Sequence, residues 1–347
     1  MLMTPNLDPR CARIPSADKA RLRLMFLAKH ACGDGSPDAA DGNHAVYHHE
    51  LRTTIESLGI EVVAANSFEA IERRPNVDFV FPLLNRAGFQ NSEMLAPLLL
   101  TRCGAPFLGA SPILRGLADD KHLSKVIARR HGVPTARWIS CRRGRPIAEP
   151  DFRAERLVVK PNASSASWGV AIVDSWTDAR AHVQELHGLG HDVIVEEWLP
   201  LLDVAVPVVG GAGAAPWLLP PMAHSPERAG DLRSYEEKRA LAADVRPDPL
   251  LVVDDPELAG RLNAFSRALC DELWPFDYGR FEFRYDPGSG AVAFMEVNLS
   301  CNLWSQKSIS RSAASLGVDH ASLVESILAH SLRRQGVITS VGLELAA

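Results

Sequence analysis

Between positions 279 and 302 the sequence reads GRFEFRYDPGSGAVAFMEVNLSCN, two strand-like runs around a Pro-Gly-Ser-Gly turn with acidic residues in both arms. A chain that reverses about Ser289 sets Glu282 opposite Glu296, Arg280 opposite Asn298 and Arg284 opposite Phe294. Strand alternation then gathers Arg280, Glu282, Glu296 and Asn298 on one face, and Phe281, Phe283, Met295 and Val297 on the other. Like charges directly opposed in a ladder destabilise it. This register therefore calls for a cation between the carboxylates. The competing reading is a register one or two residues away, with both glutamates in water.

Lysine is the next informative residue type. Among 37 basic residues it occurs only at 19, 29, 121, 125, 160, 238 and 307, so arginine is the default surface cation and a lysine inside a motif stands out. HAVYHHE (44–50) clusters His44, His48 and His49 with Glu50. Metal ligation is one reading, and a helix start with solvated histidines is the preferred one. The six cysteines are scattered with no CxxC pair, which suits reduced thiols in a cytoplasmic protein. Cys301 adjoins the acidic hairpin, but no histidine partner can be assigned to it from sequence.

At 347 residues, with 46% apolar and 23% charged residues, the chain has the material for two or three packed lobes. A net charge of −5 gives no footprint for nucleic acid or anionic membrane. No apolar run approaches the roughly 20 residues that span a bilayer, and the first residues lack the apolar core of a signal peptide. Apolar strands at 21–28, 60–65 and 77–84 alternate with helical runs at 46–58 and 92–103, the pattern of parallel α/β packing. A helix over 121–131 closes at Gly132 and Pro134. Strands follow at 156–160, 169–173, 192–199 and 203–209 around a helix at 176–188, and helices at 256–273 and 319–334 flank the hairpin. The expected organisation is a polar leader (1–20), an N-terminal α/β domain (21–118), a central lobe (119–210), a C-terminal lobe (211–335) and a patternless tail (336–347).

In this order the chain resembles the ATP-grasp superfamily, most closely its D-alanine–D-alanine ligase branch, over about 21–335. The resemblance implies an α/β fold in which two α+β lobes clamp ATP. In LVVKPNASSASWGVAIV, Lys160 would meet nucleotide phosphates, with Ser165 and Ser167 in the loop that covers them. Small-residue loops offer backbone N–H groups to phosphate oxygens, and lysine adds a compact charge. An ordinary polar hairpin is the alternative. Ser165 stands where the family has its first loop glycine, with Ala166 and Trp168 nearby. VIVEEWLPLLDV matches the adenine-hinge strand: Glu196 would accept from the adenine amino group, backbone at Glu197 and Leu199 would bind the ring edge, and Asp203 would hold ribose. An amphipathic edge strand is the alternative. By the same resemblance Met295 would be a further ATP-site residue. Lys121 in DDKHLSK matches the other phosphate lysine, at a helix start whose dipole favours anions. SYEEKR makes Lys238 a candidate for the γ-phosphate, with Arg239 replacing an aromatic residue.

The same resemblance answers the hairpin problem. Glu282, Glu296 and Asn298 would bind magnesium as two ions, with manganese as an alternative, and Arg280 would stabilise the transferring phosphoryl group. The implied reaction is ATP-dependent ligation of a carboxylate to an amine through an acylphosphate. An ATP-grasp kinase or carboxylating enzyme, or a noncatalytic nucleotide-binding regulator, are the alternatives. The expected partners are a small-molecule carboxylate and amine, and by family analogy a second copy in a homodimer. Departures from the branch concern its substrates. The HG…GEDG region is replaced by PLLNRAGFQNSEMLAP (82–97), and SPG by Ser300, Cys301 and Asn302, leaving Asn302 to supply an oxyanion-hole N–H. Lys307 replaces a small hydroxyl residue at the acceptor's carboxylate; a solvated loop lysine is the alternative.

Overall fold

The structure is a computed structural model that describes residues 10–343 apart from 74–75, 89, 211–214, 225–234, 240 and 242–248; the side chains of Tyr235, Arg239 and Leu343 also lie outside the described set. The substitution at Arg239 noted above therefore falls outside it.

Near the N-terminus the apolar runs build a parallel sheet. Arg23–Leu27 lies between Glu61–Ala65 and Phe79–Pro82, parallel to both. Parallel neighbours need a crossover, and helix His44–Ser57 supplies one. The described parts of the expected polar leader and patternless tail, 10–20 and 336–343, contain regular elements. Ala12–Arg13 pairs antiparallel with Gly342–Leu343, and Ser16–Arg21 is helical. Arg13 and Lys19 both reach the buried carboxylate of Glu325, each at 2.7 Å. Two-residue strands are too short to leave a periodic signal, which is why the sequence hides them.

The central sheet is antiparallel, in the order Trp138–Cys141, Val193–Glu197, Leu157–Pro161, Ala171–Val173, and is backed by helix Trp176–Gly188. Ser175 caps that helix, its hydroxyl accepting from the Asp178 N–H at 3.1 Å. Run 203–209, expected to end the central lobe, belongs elsewhere. Strand Leu202–Gly210 sits inside the six-stranded C-terminal sheet, paired along its length with Tyr278–Tyr285 and on its other side with Met222–His224. A nearly continuous apolar strand favours such an interior position.

Helix Lys121–Arg130 starts at Asp120, whose carboxylate accepts from the Leu123 N–H at 2.9 Å. Its Ala128 shares a core with Phe281, Phe294 and Leu269 of the C-terminal lobe. Pro134 and Thr135 then cross to the hairpin: the Phe294 N–H donates to the Pro134 carbonyl at 2.6 Å, and the Thr135 hydroxyl to the Phe294 carbonyl at 2.7 Å. These contacts tie the segment after the helix to the strand that carries the acidic face.

Candidate active site

The hairpin register places Arg280 across from Asn298 and Glu282 across from Glu296, as the turn at Ser289 implies. Beyond that pair a bulge intervenes, so Phe283 faces Phe294 and Arg284 faces Ala293, not Phe294. The extra residue is Met295. A bulge re-aims side chains, and here Met295 leaves the expected core face to line a cavity beside Glu296. That cavity, of about 690 Å³, lies between the lobes. Every site residue singled out from the sequence lines it: Lys121, Lys160, Ser165, Ser167, Glu196, Glu197, Leu199, Asp203, Lys238, Arg280, Glu282, Met295, Glu296, Asn298, Asn302 and Lys307.

On the acidic face the carboxylates are held by cations of the chain itself. Arg280 Nε donates to Glu282 Oε1 at 2.7 Å, and Lys121 Nζ stands 3.4 Å from Glu296 Oε2. Asn298 Nδ2 donates to Glu282 Oε1 at 2.7 Å and reaches Glu296 Oε1 at 3.5 Å. Burial opposes ionisation of Glu296, but Lys121, Lys160, Lys238 and Arg280 outweigh it and hold its carboxyl at about 2. Burial also works against the Arg280 charge; the Glu282 carboxylate overrides it and raises the guanidinium above its usual range. Two carboxylates and an amide are hard oxygen donors of the kind magnesium takes. A half-turn of the Asn298 amide would present its oxygen in place of its nitrogen. The donor set fits the ion.

Two lysines reach the loop after Lys160. Lys121 Nζ donates to the Ser164 carbonyl at 3.0 Å and Lys238 Nζ to Ser167 Oγ at 2.7 Å, while Lys160 lies in strand Leu157–Pro161 just before the loop. Ala166 and Ser167 adopt left-handed backbone at φ 55° and 62°, a costly conformation for non-glycine residues and one that folds the loop back on itself. At Gly169, φ 70°, a Cβ would meet Pro161 at 2.9 Å, so only glycine closes the loop.

Behind the loop runs strand Val193–Glu197, which carries Glu196 and Glu197. Glu196 is fully buried and both its oxygens are engaged, Oε1 by Lys160 Nζ and Oε2 by Lys125 Nζ at 2.9 Å. Burial opposes its charge, but Lys125 and Lys160 prevail and hold the carboxyl at about 2. The Glu197 N–H donates to the Arg137 carbonyl at 3.0 Å, and its side chain pairs with Arg137. The Leu199 carbonyl accepts from Arg284, whose Nε also stands 3.0 Å from Asp203 Oδ1. Lys125 escaped the sequence reading. Its signal was the lysine scarcity itself, together with its place four residues beyond Lys121 on one helix face.

The other end of the cavity is built by the N-terminal domain and the loop after the hairpin. The Tyr47 hydroxyl accepts from the Leu303 N–H at 3.0 Å, and Glu50 accepts from Trp304 Nε1 at 2.8 Å and the Ser305 N–H at 3.0 Å. Helix His44–Ser57 does begin at the histidine cluster, but the histidines are not all solvated: His48 is buried, its Nδ1 accepting from the His30 N–H at 3.2 Å. Among the described residues no three His, Cys, Asp or Glu side chains are grouped to hold a metal ion, and the hairpin's donors are two carboxylates plus an amide. In the replaced 82–97 region, Arg86 bridges Glu93 at 2.8 Å and Asp119 at 2.6 Å, and Arg115 joins Glu93 at 2.8 Å. No sequence spacing announces that cluster. Burial pushes the Cys301 thiol up to about 11, which removes it as a nucleophile.

A parallel N-terminal sheet, two antiparallel lobes and a cavity of lysines and carboxylates between them define a mixed α/β enzyme of the ATP-grasp class. The D-alanine–D-alanine ligase from Bacillus anthracis, solved in complex with ATP, superposes with a TM-score of 0.70 at 21% identity, covering 91% of this chain and 99% of that one. The VanG D-Ala:D-Ser ligase from Enterococcus faecalis superposes at 0.65 with 14% identity, covering 89% and 99%. The family model described as the D-ala D-ala ligase C-terminus matches residues 127–329, more than half of the chain. A D-alanine–D-alanine ligase of Synechococcus sp. is 27% identical over 299 residues, 82% of this chain and 86% of that one. A Sinorhizobium fredii protein described as uncharacterised is 30% identical over 240 residues, 69% and 70% of the two chains. The chain belongs to the D-alanine–D-alanine ligase family and is an ATP-dependent carboxylate–amine ligase. No helix among the described residues is long and apolar enough to cross a membrane.

Proposed function

We propose that this ligase acts in the cytoplasm on small amino-acid substrates, with Mg²⁺ and ATP, by way of an acylphosphate. A substrate carboxylate oxygen attacks the γ-phosphorus, the bond to the β-phosphate oxygen breaks, and ADP leaves. The amine nitrogen of the second substrate then attacks the acyl carbon, loses a proton, and expels phosphate. The observation that carries this reading is the convergence of Lys121, Lys160, Lys238 and Arg280 with Glu282, Glu296 and Asn298 on one cavity.

Roles follow from position. Lys121, Lys160 and the backbone around Ser165 and Ser167 bind phosphates, and Lys238 and Arg280 stabilise the charge that grows on the transferring group. Glu282, Glu296 and Asn298 would hold magnesium, which when bound offsets phosphate charge. Val158, Met295 and Phe283 also line the cavity and suit an adenine ring, with Glu196, Glu197 and Leu199 at its edge and Asp203 at ribose.

The relatives carry D-alanine and D-serine in their names, yet this chain keeps neither the HG…GEDG nor the SPG sequence. A different pair of amino acids is therefore the proposed substrate. Asn302 offers its N–H to the acyl oxygen, and Lys307 at the acceptor end favours an acceptor with an additional or more distant anionic group. The test is a screen of carboxylate and amine pairs for ADP release with mass detection of the condensed product. ADP release that needs no amine would overturn the reading.

A further inference from the structure

Lys125 is fully buried and does not line the cavity, whereas both Glu196 and Lys160 do. Its Nζ is held twice, on Glu196 Oε2 at 2.9 Å and on the Thr135 hydroxyl at 2.7 Å. Thr135 in turn is bonded to the Phe294 carbonyl, next to the bulge residue Met295. Lys125 is thus locked between the central sheet and the acidic hairpin. Glu196 carries two ammonium groups, one fixed out of reach of any ligand and one facing the cavity.

That asymmetry suggests a division of labour. If Lys160 is to meet nucleotide phosphates, it must leave Glu196. An ionised carboxylate buried without a counter-charge is strongly disfavoured, so a lone Lys160–Glu196 pair would resist opening. With Lys125 in place the carboxylate stays neutralised and oriented when Lys160 departs. We propose that Lys125 is a positioning residue that serves as the standing counter-ion of Glu196 and thereby frees Lys160 for the nucleotide. This rests on the reading that Lys160 binds phosphates. Lys125 touches no substrate. It sets how readily a second lysine can change partners.

The experiment compares ATP and adenosine affinities by calorimetry for the wild type, Lys125→Met, Lys160→Met and the double variant Lys125→Met/Glu196→Gln. In Lys125→Met, Lys160 is trapped on Glu196, so ATP affinity should fall about tenfold or more while adenosine affinity changes less than about threefold. In the double variant the trap is gone, and the ratio of ATP to adenosine affinity should return toward that of the wild type. A merely structural lysine would instead weaken both ligands alike and show no such return. Should Lys125→Met fail to fold, the double variant, which removes both charges, still decides: a ratio that stays low overturns the proposal. Wild-type ATP affinity in Lys125→Met, with a loss in Lys160→Met, also overturns it. Wild-type affinity in Lys160→Met overturns the phosphate reading itself.

Discussion

Glu282 stands directly across the hairpin from Glu296, with Asn298 Nδ2 between them at 2.7 Å and 3.5 Å from their oxygens. Two opposed carboxylates this close are an electrostatic liability in a bare sheet. Arg280 and Lys121 offset it here, and both are groups assigned to the phosphoryl end of the site. The protein thus holds the cations proposed for phosphoryl transfer on the carboxylates that the proposed reaction would give to a metal.

Glu296→Gln should therefore separate stability from activity. It removes one of two like charges and one anionic oxygen ligand. Turnover should fall at least about a hundredfold, while Tm moves by less than about 3 °C, the scale of roughly 1 kcal/mol in a chain this long. Steady-state ADP release and a melting curve check the two halves. Near wild-type turnover at saturating Mg²⁺ would remove Glu296 from the metal set.

ATP or a nonhydrolysable analogue, with Mg²⁺, should raise Tm, because a ligand that binds only the folded chain stabilises it by about 2.7 kcal/mol at a hundred times its Kd. Lys160→Ala should lose most of that rise at the same nucleotide concentration. Equal shifts in the two proteins would move the phosphate site away from the loop that Gly169 closes.

Acid should act through the fully buried Glu196. Its carboxyl lies at about 2 against an ordinary value of 4.5. A folded value below the unfolded one means that its ion pairs contribute in full above about pH 4.5, and that this contribution is lost as pH falls toward 2. Glu196→Gln should destabilise the protein at pH 7 by about 3 kcal/mol, since it leaves Lys125 buried with only a neutral partner. At pH 3 the gap from wild type should narrow. Denaturant titrations at the two pH values measure it, and a gap that does not change with pH would mean that Glu196 is not ionised in the fold.

The legible parts of this molecule were those with strong local signals. The hairpin register came from alternation around a single turn, the helix at Lys121 had its stop at Gly132 and Pro134, and the helical runs at 256–273 and 319–334 match the helices Pro256–Leu273 and His320–Arg334. The bulge at Met295 was not legible, because one inserted residue leaves no trace in composition and is fixed by the ladder around it. Strand Leu202–Gly210 was seen as a strand but given to the wrong lobe, since pairing across some 70 residues to Tyr278–Tyr285 is a tertiary fact. The Arg86–Glu93–Asp119 cluster shows the same limit: each residue is unremarkable until the fold brings its partner.

The last prediction concerns Lys307, which lines the cavity and is proposed to meet the acceptor. Its backbone N–H donates to the Trp304 carbonyl at 2.9 Å and its Nζ lies 5.8 Å from the Trp304 ring centre. Trp304 and Ser305 are in turn pinned by Glu50 of the N-terminal domain. The loop is thus held in place by a second domain, and a long cationic side chain in it reaches farther than a hydroxyl would. Lys307→Ala should raise the acceptor's KM by about tenfold or more, the loss of one charge-assisted contact of roughly 1.5–3 kcal/mol. Trapping of the acylphosphate with hydroxylamine should proceed at the wild-type rate, because that step precedes the acceptor. Equal losses in trapping and coupling would place Lys307 among the groups that move the phosphoryl group. No loss in either would return it to the solvent.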